Sequence, residues 1–307
     1  MHFVNMNDPQ SVLKEVKATV SLIFPNFDFE MIDFAFEDFL NLFAGNYPGY
    51  KGCNTRYHDL KHTTDTFLAL ARLIHGATMK GIKLSRQGVS LALVSALMHD
   101  AGYIQTIDDT TGTGAKYTLS HVDLSIGFMS DYFEEKGYLR EDFIYCRNIV
   151  SCTGLDVALA SIGFSNPENE LLGKMLGTAD LQGQMADREY LEKLLHLYRE
   201  FHEGGVSGYE SELDLLKKTP IFYQATLKRF EEDLGGVWRY MRHHFRSRWD
   251  LDEDPYKTTI EGHMAYLKET LRHHSDDYHK YLRRGSLIPD VDEQIKTRYQ
   301  LKNGRPC

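Results

Sequence analysis

Apolar residues recur at three- and four-residue steps along this chain, and no run alternates apolar with polar residues as a half-buried strand does. In "SVLKEVKATVSLIF" the stripe is Leu13, Val16, Val20 and Ile23. Pro25 stops it, and "FEMIDFAFEDFLNLFAG" begins a second, aromatic-rich helix that ends near Gly45. The helical period continues at roughly 58–75, 87–99, 121–136, 141–151, 169–181, 187–202, 211–232, 234–246 and 256–272, with Gly, Pro, Asn or Asp clusters between. The expectation is an all-α chain, a multi-helical bundle with helices of ordinary length. No period of roughly 20 to 50 residues repeats, which sets a solenoid aside.

With 307 residues, 42% of them hydrophobic, the chain can bury a full core without disulfide or metal staples. One large domain, or one domain with a modest appendage, is expected. The stretch "WDLDEDPYK" near 249–257 is where an appendage would separate, and the last twenty or so residues read as a loosely held tail. A net charge of -9 with no basic run argues against a nucleic-acid or anionic-membrane partner, and an anionic substrate would need a local cation. Cys53, Cys146, Cys152 and Cys307 lack paired spacing, which suits a reducing compartment. The N-terminal "MHFVNMNDPQ" has no leader pattern, and no stretch approaches the roughly 18 to 20 apolar residues of a membrane span. A soluble, cytoplasmic, unprocessed protein is the expectation. The segment "GYIQTIDDTTGTGAKYTL", 102–119, is longer than an ordinary connection and reads as a functional loop or a lid.

"YHDLKHTTDTFLALARLIHG", residues 57–76, sets His58 and His62 four residues apart. On a helix both imidazoles would project from one face, with Phe67, Leu70, Leu73 and Ile74 holding the other stripe in the core. Such a pair is either a helix surface or the start of a metal or catalytic site. In "GVSLALVSALMHDAGY" an almost unbroken apolar run, the pattern of a buried helix, ends in His99-Asp100. Burying that pair costs on the order of several kcal/mol unless a counter-charge compensates; the other reading is a helix end that has reached solvent. In "ELLGKMLGTADLQGQMADREY" Asp180 stands where the stripe Leu172, Met175, Leu176 and Ala179 asks for another apolar residue. It either meets a partner or breaks an exposed helix before Gly183. Together His62, His99, Asp100 and Asp180 offer two imidazoles and two carboxylates from three helices. That set suits one or two divalent ions of Zn, Mn, Fe or Mg, with water in the open positions. A carboxylate can bridge two such ions, which activate water and neutralise phosphate charge.

The order of these motifs, Tyr57-His58 with His62 one turn on, an apolar helix ending in His-Asp and a distant Thr-Ala-Asp, resembles the HD-domain metal-dependent phosphohydrolases. Tyr57-His58 and the Asp-x-x-His62 that follows are similar in particular to the catalytic domain of class I cyclic-nucleotide phosphodiesterases. The resemblance implies an HD-domain, PDEase-like bundle over residues 50–205, with N-terminal helices 1–49 packed on it and a C-terminal helical extension, 206–307, in the same globular unit. It implies metal ligation by His62, His99, Asp100 and Asp180, with Asp100 bridging two ions, and a general acid in His58 that protonates the leaving alkoxide. An imidazole near neutral pKa can donate that proton, whereas a metal-bound one cannot. The implied reaction is hydrolysis of a small phosphodiester or nucleotide phosphate by a metal-activated hydroxide, a cyclic nucleotide being one option.

By the same resemblance Tyr57 would bond a phosphate oxygen, and Asp59, in place of the more usual asparagine, would orient a ligand or water. Ser120 to Asp123 has capping-box spacing, so His121 would open a helix whose amides attract an anion. Many HD proteins bind a second metal or the phosphate with a histidine there; a surface histidine is the alternative. The chain departs from the pattern at Ser151-Cys152, where several HD families have a histidine pair. It also lacks a clean purine-selecting glutamine: Gln182, Gln184 and Gln224, the last beside Phe222 and Tyr223, are the candidates, and Gln184 is taken as a substrate-binding residue. The pairs His243-His244 and His273-His274 lie in charged stretches and are expected in solvent; Met175 and Met185 are expected to fill the core. No P-loop occurs. Two rival readings are an HD-fold sensor that binds a metal or nucleotide without turnover, and a di-iron oxygen-activating site, which needs more histidines.

Overall fold

Eleven α-helices form within residues 4–282, the part of the chain that the computed structural model describes. The tail expected over the last twenty or so residues lies outside that range. The helices are α1 Pro9–Ile23, α2 Glu30–Ala44, α3 Leu60–Met79, α4 Arg86–Met98, α5 His121–Glu135, α6 Arg140–Ser151, α7 Pro167–Ala186, α8 Tyr190–Glu203, α9 Glu212–Glu232, α10 Tyr240–Trp249 and α11 Pro255–His273. No strand forms among the described residues; Tyr50 and Thr106 make one isolated bridge. The fold is an all-α bundle. No helix of the described residues is long and apolar enough to cross a membrane.

Three boundaries differ from the sequence period, each for a local reason. α3 starts at Leu60 because the Asp59 carboxylate caps it, accepting from the His62 amide at 2.8 Å. His58 therefore lies outside the helix and does not share a helical face with His62, and Asp59 serves as the cap. α7 runs through Asp180 and Gly183 to Ala186, so Asp180 does not end it. Gly183 is tolerated because a Cβ there would press on the α3 backbone, 3.1 Å from the Thr66 nitrogen. α10 starts only at Tyr240, since Gly235 and Gly236, at φ 65° and 68°, take the chain through a left-handed turn after α9.

α3 is the axis of the molecule. Every residue from His62 to Ala77 is buried, and α1, α4, α7 and α10 all pack on it. Phe67, Leu70, Leu73 and Ile74 are fully enclosed, as are Met175 and Met185. One connected core runs from Val12 to Leu282, so helices before residue 50 and after residue 205 share it with the middle of the chain. His244, expected in solvent, is instead fully buried against His75 of α3, Nδ1 to Nδ1 3.2 Å apart. The charged residues around His244 in sequence turn outward while it faces inward.

The loop 102–119 is tied down at several points. Asn54 bonds both Gln105, at 2.8 Å, and the Gly114 amide, at 2.8 Å. Thr113 donates to Glu203 at 2.7 Å, and Asp109 gathers Lys116 at 2.5 Å and the Tyr117 hydroxyl. Lys51 reaches the Asp109 carbonyl.

Candidate metal centre

The inner ends of three helices meet at one point. α3 brings His62 in its first turn, α4 ends in His99, its C-cap, with Asp100 next, and α7 brings Asp180. His62 Nε2 is 3.1 Å from Asp100 Oδ2, 3.1 Å from Asp180 Oδ1 and 3.3 Å from His99 Nε2. His99 Nε2 is in turn 3.4 Å from Asp100 Oδ2 and 3.6 Å from Asp180 Oδ1. Ligand atoms at about 2.1 Å from a common ion stand about 3.0 to 3.4 Å apart in octahedral or tetrahedral geometry, so the separations among His62, His99 and Asp100 fit one cation, and Asp180 lies at the edge of that set.

The hydrogen bonds around the cluster point the same way. His99 Nδ1 lies 2.8 Å from the Ala96 carbonyl, so Nδ1 carries the proton and Nε2 presents its lone pair inward. Asp100 Oδ2 is buried without a hydrogen-bond donor, close as His62 Nε2 is. His62 Nδ1 likewise has no partner among the described residues. Two carboxylates in a dry site call for positive charge. Burial works against a charge on His62, but Asp100 and Asp180 outweigh it and hold the imidazole well above its ordinary pKa. Burial pushes both carboxyls up, and the facing imidazoles pull them below the usual range by more. His62, His99 and Asp100, all buried, can hold a metal ion, with Asp180 Oδ1 in reach of both imidazoles.

His58 stands beside the cluster without joining it, its ring centre 5.8 Å from that of His62. Its Nδ1 lies 2.7 Å from Glu200 Oε2 of α8. The other carboxylate oxygen accepts the Arg56 and Tyr57 amides, each at 2.7 Å. Burial raises the Glu200 pKa, and His58 with those two amides more than reverses the effect. His121 opens α5, as expected, but Ser120 makes no side-chain cap, so the capping box does not form. His121 Nδ1 is 2.8 Å from the Thr118 carbonyl, which turns Nε2 toward Asp100 Oδ1, 3.8 Å away. Gly102 lets the chain after Asp100 lie against this helix, for a Cβ there would overlap the His121 carbonyl.

Tyr57 and Gln184 are bonded to each other. The Tyr57 hydroxyl donates to Gln184 Oε1 at 2.6 Å, and Gln184 Nε2 donates to Asp180 Oδ1 at 3.3 Å. Both thus support a carboxylate of the cluster, and Tyr57 is buried, 4% exposed. Gln182 is buried and Gln224 lies exposed on α9. Asp180, His58 and His121, with side chains 14%, 13% and 23% exposed, are where the site meets solvent. A cavity of about 440 Å³ lies elsewhere, at the N-terminal ends of α4 and α7, lined among others by Gly88, Leu91, Tyr145 and Glu168.

A family model described as Npun_R2479-like matches residues 47–236, a span that contains every residue of this site. No curated protein and no solved structure matches the chain.

Proposed function

The chain belongs to the Npun_R2479-like family, and for the site within the matched segment we propose metal-dependent hydrolysis of a phosphate ester, a small phosphodiester or a nucleotide phosphate, at an HD-domain type of centre. The observation that carries this reading is the approach of His62, His99 and Asp100 ligand atoms to within 3.1–3.4 Å of one another, with Asp180 Oδ1 3.1 Å and 3.6 Å from the two imidazoles and a further imidazole, His58, beside them. A divalent ion held by those four would supply Lewis-acid charge to a phosphoryl oxygen and lower the pKa of water.

The remaining roles fall to the chain's own groups. The Glu200 carboxylate would accept from Nδ1 of His58 and stabilise its imidazolium form, in which Nε2 carries the second proton and is the atom that can give it. As the P–O bond breaks, its electron pair goes to the departing alkoxide oxygen, and that oxygen takes the proton from His58 Nε2. Water supplies the oxygen that replaces it on phosphorus, and a proton from that water restores His58. His121 Nε2, 3.8 Å from Asp100 Oδ1, would stand within reach of a phosphate bound beside the cluster.

Elemental mass spectrometry of the wild type beside Asp100→Ala, followed by phosphodiester and nucleotide hydrolysis with added Mn²⁺, tests the reading. The expected result is one or two ions per chain that vanish in the variant, and turnover that Asp180→Ala abolishes. His58→Ala keeps the metal and loses rate. Full activity in Asp180→Ala overturns the assignment, and an ester that raises the melting temperature but is never converted returns the site to a sensor.

A further inference from the structure

Three aromatic rings lean together at the mouth of the site. Tyr103 lies nearly parallel to His58, with ring centres 4.2 Å apart and planes at 12°, and nearly parallel to His121, at 4.6 Å and 22°. The two imidazoles themselves are 6.1 Å apart, so each is closer to the phenol than to the other. Tyr103 is 1% exposed and closes a short 3-10 helix, Ala101–Tyr103, that starts directly after Asp100. Its amide bonds the Asp100 carbonyl at 3.0 Å, and Gly114 seats against its carbonyl where a Cβ would overlap. The phenol is therefore fixed to the cluster through three residues of tight backbone.

A hydrogen bond holds a point on a ring, not its plane. His58 is tethered at Cβ and at Nδ1 by Glu200, and about the line through those two points the imidazole can still tilt, carrying Nε2 with it. A flat ring pressed on its face removes that freedom. The Tyr103 hydroxyl also lies 3.4 Å from His58 Nε2, a long hydrogen bond beside the stacking of the two faces.

We propose that Tyr103 is a positioning residue, the plane against which the proton-donating imidazole of His58 and the phosphate-facing imidazole of His121 are both aligned. The inference rests on the phosphohydrolase reading above and adds what aims its acid. The face of the ring carries the role and the hydroxyl does not.

Tyr103→Leu and Tyr103→Met remove the face, the second filling the space with an unbranched chain, and Tyr103→Phe keeps it. The first readout needs no turnover: in the metal-free protein, the ring protons of His58 and His121 are shifted upfield by the phenol in NMR spectra of wild type and Tyr103→Phe. They return toward ordinary positions in the Leu and Met variants. The second is a pair of diesters of like shape, bis(4-nitrophenyl) phosphate, whose phenolate leaves unaided, and diphenyl phosphate, whose phenoxide needs a proton. With Mn²⁺ bound, the Leu and Met variants lose at least tenfold more rate on diphenyl phosphate than on the nitrophenyl ester, and Tyr103→Phe matches wild type. Unmoved ring protons in both Leu and Met variants, or equal losses on the two esters, overturn the role. A metal-loaded wild type that hydrolyses neither ester overturns the phosphohydrolase reading and the role built on it, and does so with the ring shifts intact, so the two failures are told apart.

Discussion

Glu200 carries no motif, yet it is the residue on which His58 depends. It follows Lys193 by seven on α8, and both are buried on the side that faces the start of α3, where Lys193 pairs with Asp59 at 3.0 Å and Glu200 with His58. Glu200→Gln keeps the shape but offers one acceptor oxygen in place of two and no charge. Either His58 or the amides of Arg56 and Tyr57 then lose a partner. The expected outcome is a rate lower by about a hundredfold on esters with a poor leaving group, with metal content unchanged. A full rate in that variant would separate Glu200 from the chemistry. His99, Asp100 and Asp180 were legible because each places a polar group where an apolar stripe should continue, and His62 through its four-residue spacing from His58. Glu200 was not, because "YLEKLLHLYREFHE" is charged along much of its length and nothing local marks one carboxylate as turned inward.

Among the helices, the contact of α3 with α10 is set by two imidazoles. His75 and His244 meet edge to face at the point where Gly76 brings α3 onto the Tyr240 backbone. Around them stand Arg72 of α3 and Arg248 of α10, the latter reaching Glu15 of α1 at 3.4 Å. Burial first, and the arginines after it, lower His75 to about 4 and hold His244 well below its ordinary value. An unfolded imidazole titrates near pH 6.5, so below that value the unfolded chain binds more protons than the folded one. The pair's contribution is complete above about pH 6.5 and is lost as pH falls toward 4. Asp65 and Asp254, which burial raises to about 7, act in the opposite sense, losing their contribution as pH rises, so the pair must be read by difference. Between pH 7.5 and 5, wild type should lose about 2 kcal/mol more stability than His244→Gln in denaturant titrations, and equal losses would clear the pair. The helices themselves were legible from their period. The start of α3 was one of three exceptions: Asp59 before Leu60 has the form of an N-cap, but the even spacing of His58 and His62 suggested a helix already under way.

For the molecule as a whole, the cluster joins α3, the end of α4 and α7, which lie at the centre of the core. An ion that binds only the folded chain stabilises it by about 2.7 kcal/mol at a hundred times its Kd. Added Mn²⁺ should therefore raise the melting temperature by about 5 °C or more over a chelated sample, and Asp100→Ala should show no such rise. A rise that persists in the variant would place the ion elsewhere. The family match ends at residue 236, while α1, α10 and α11 pack outside it on helices of the matched segment; long-range packing of this kind has no local sequence mark. Lys51, Asn54 and Glu203 hold loop 102–119 at three points along its length. A connection of that length would ordinarily be a first point of attack for a protease, and these ties should instead make it resist limited proteolysis, with Asn54→Ala restoring the cut.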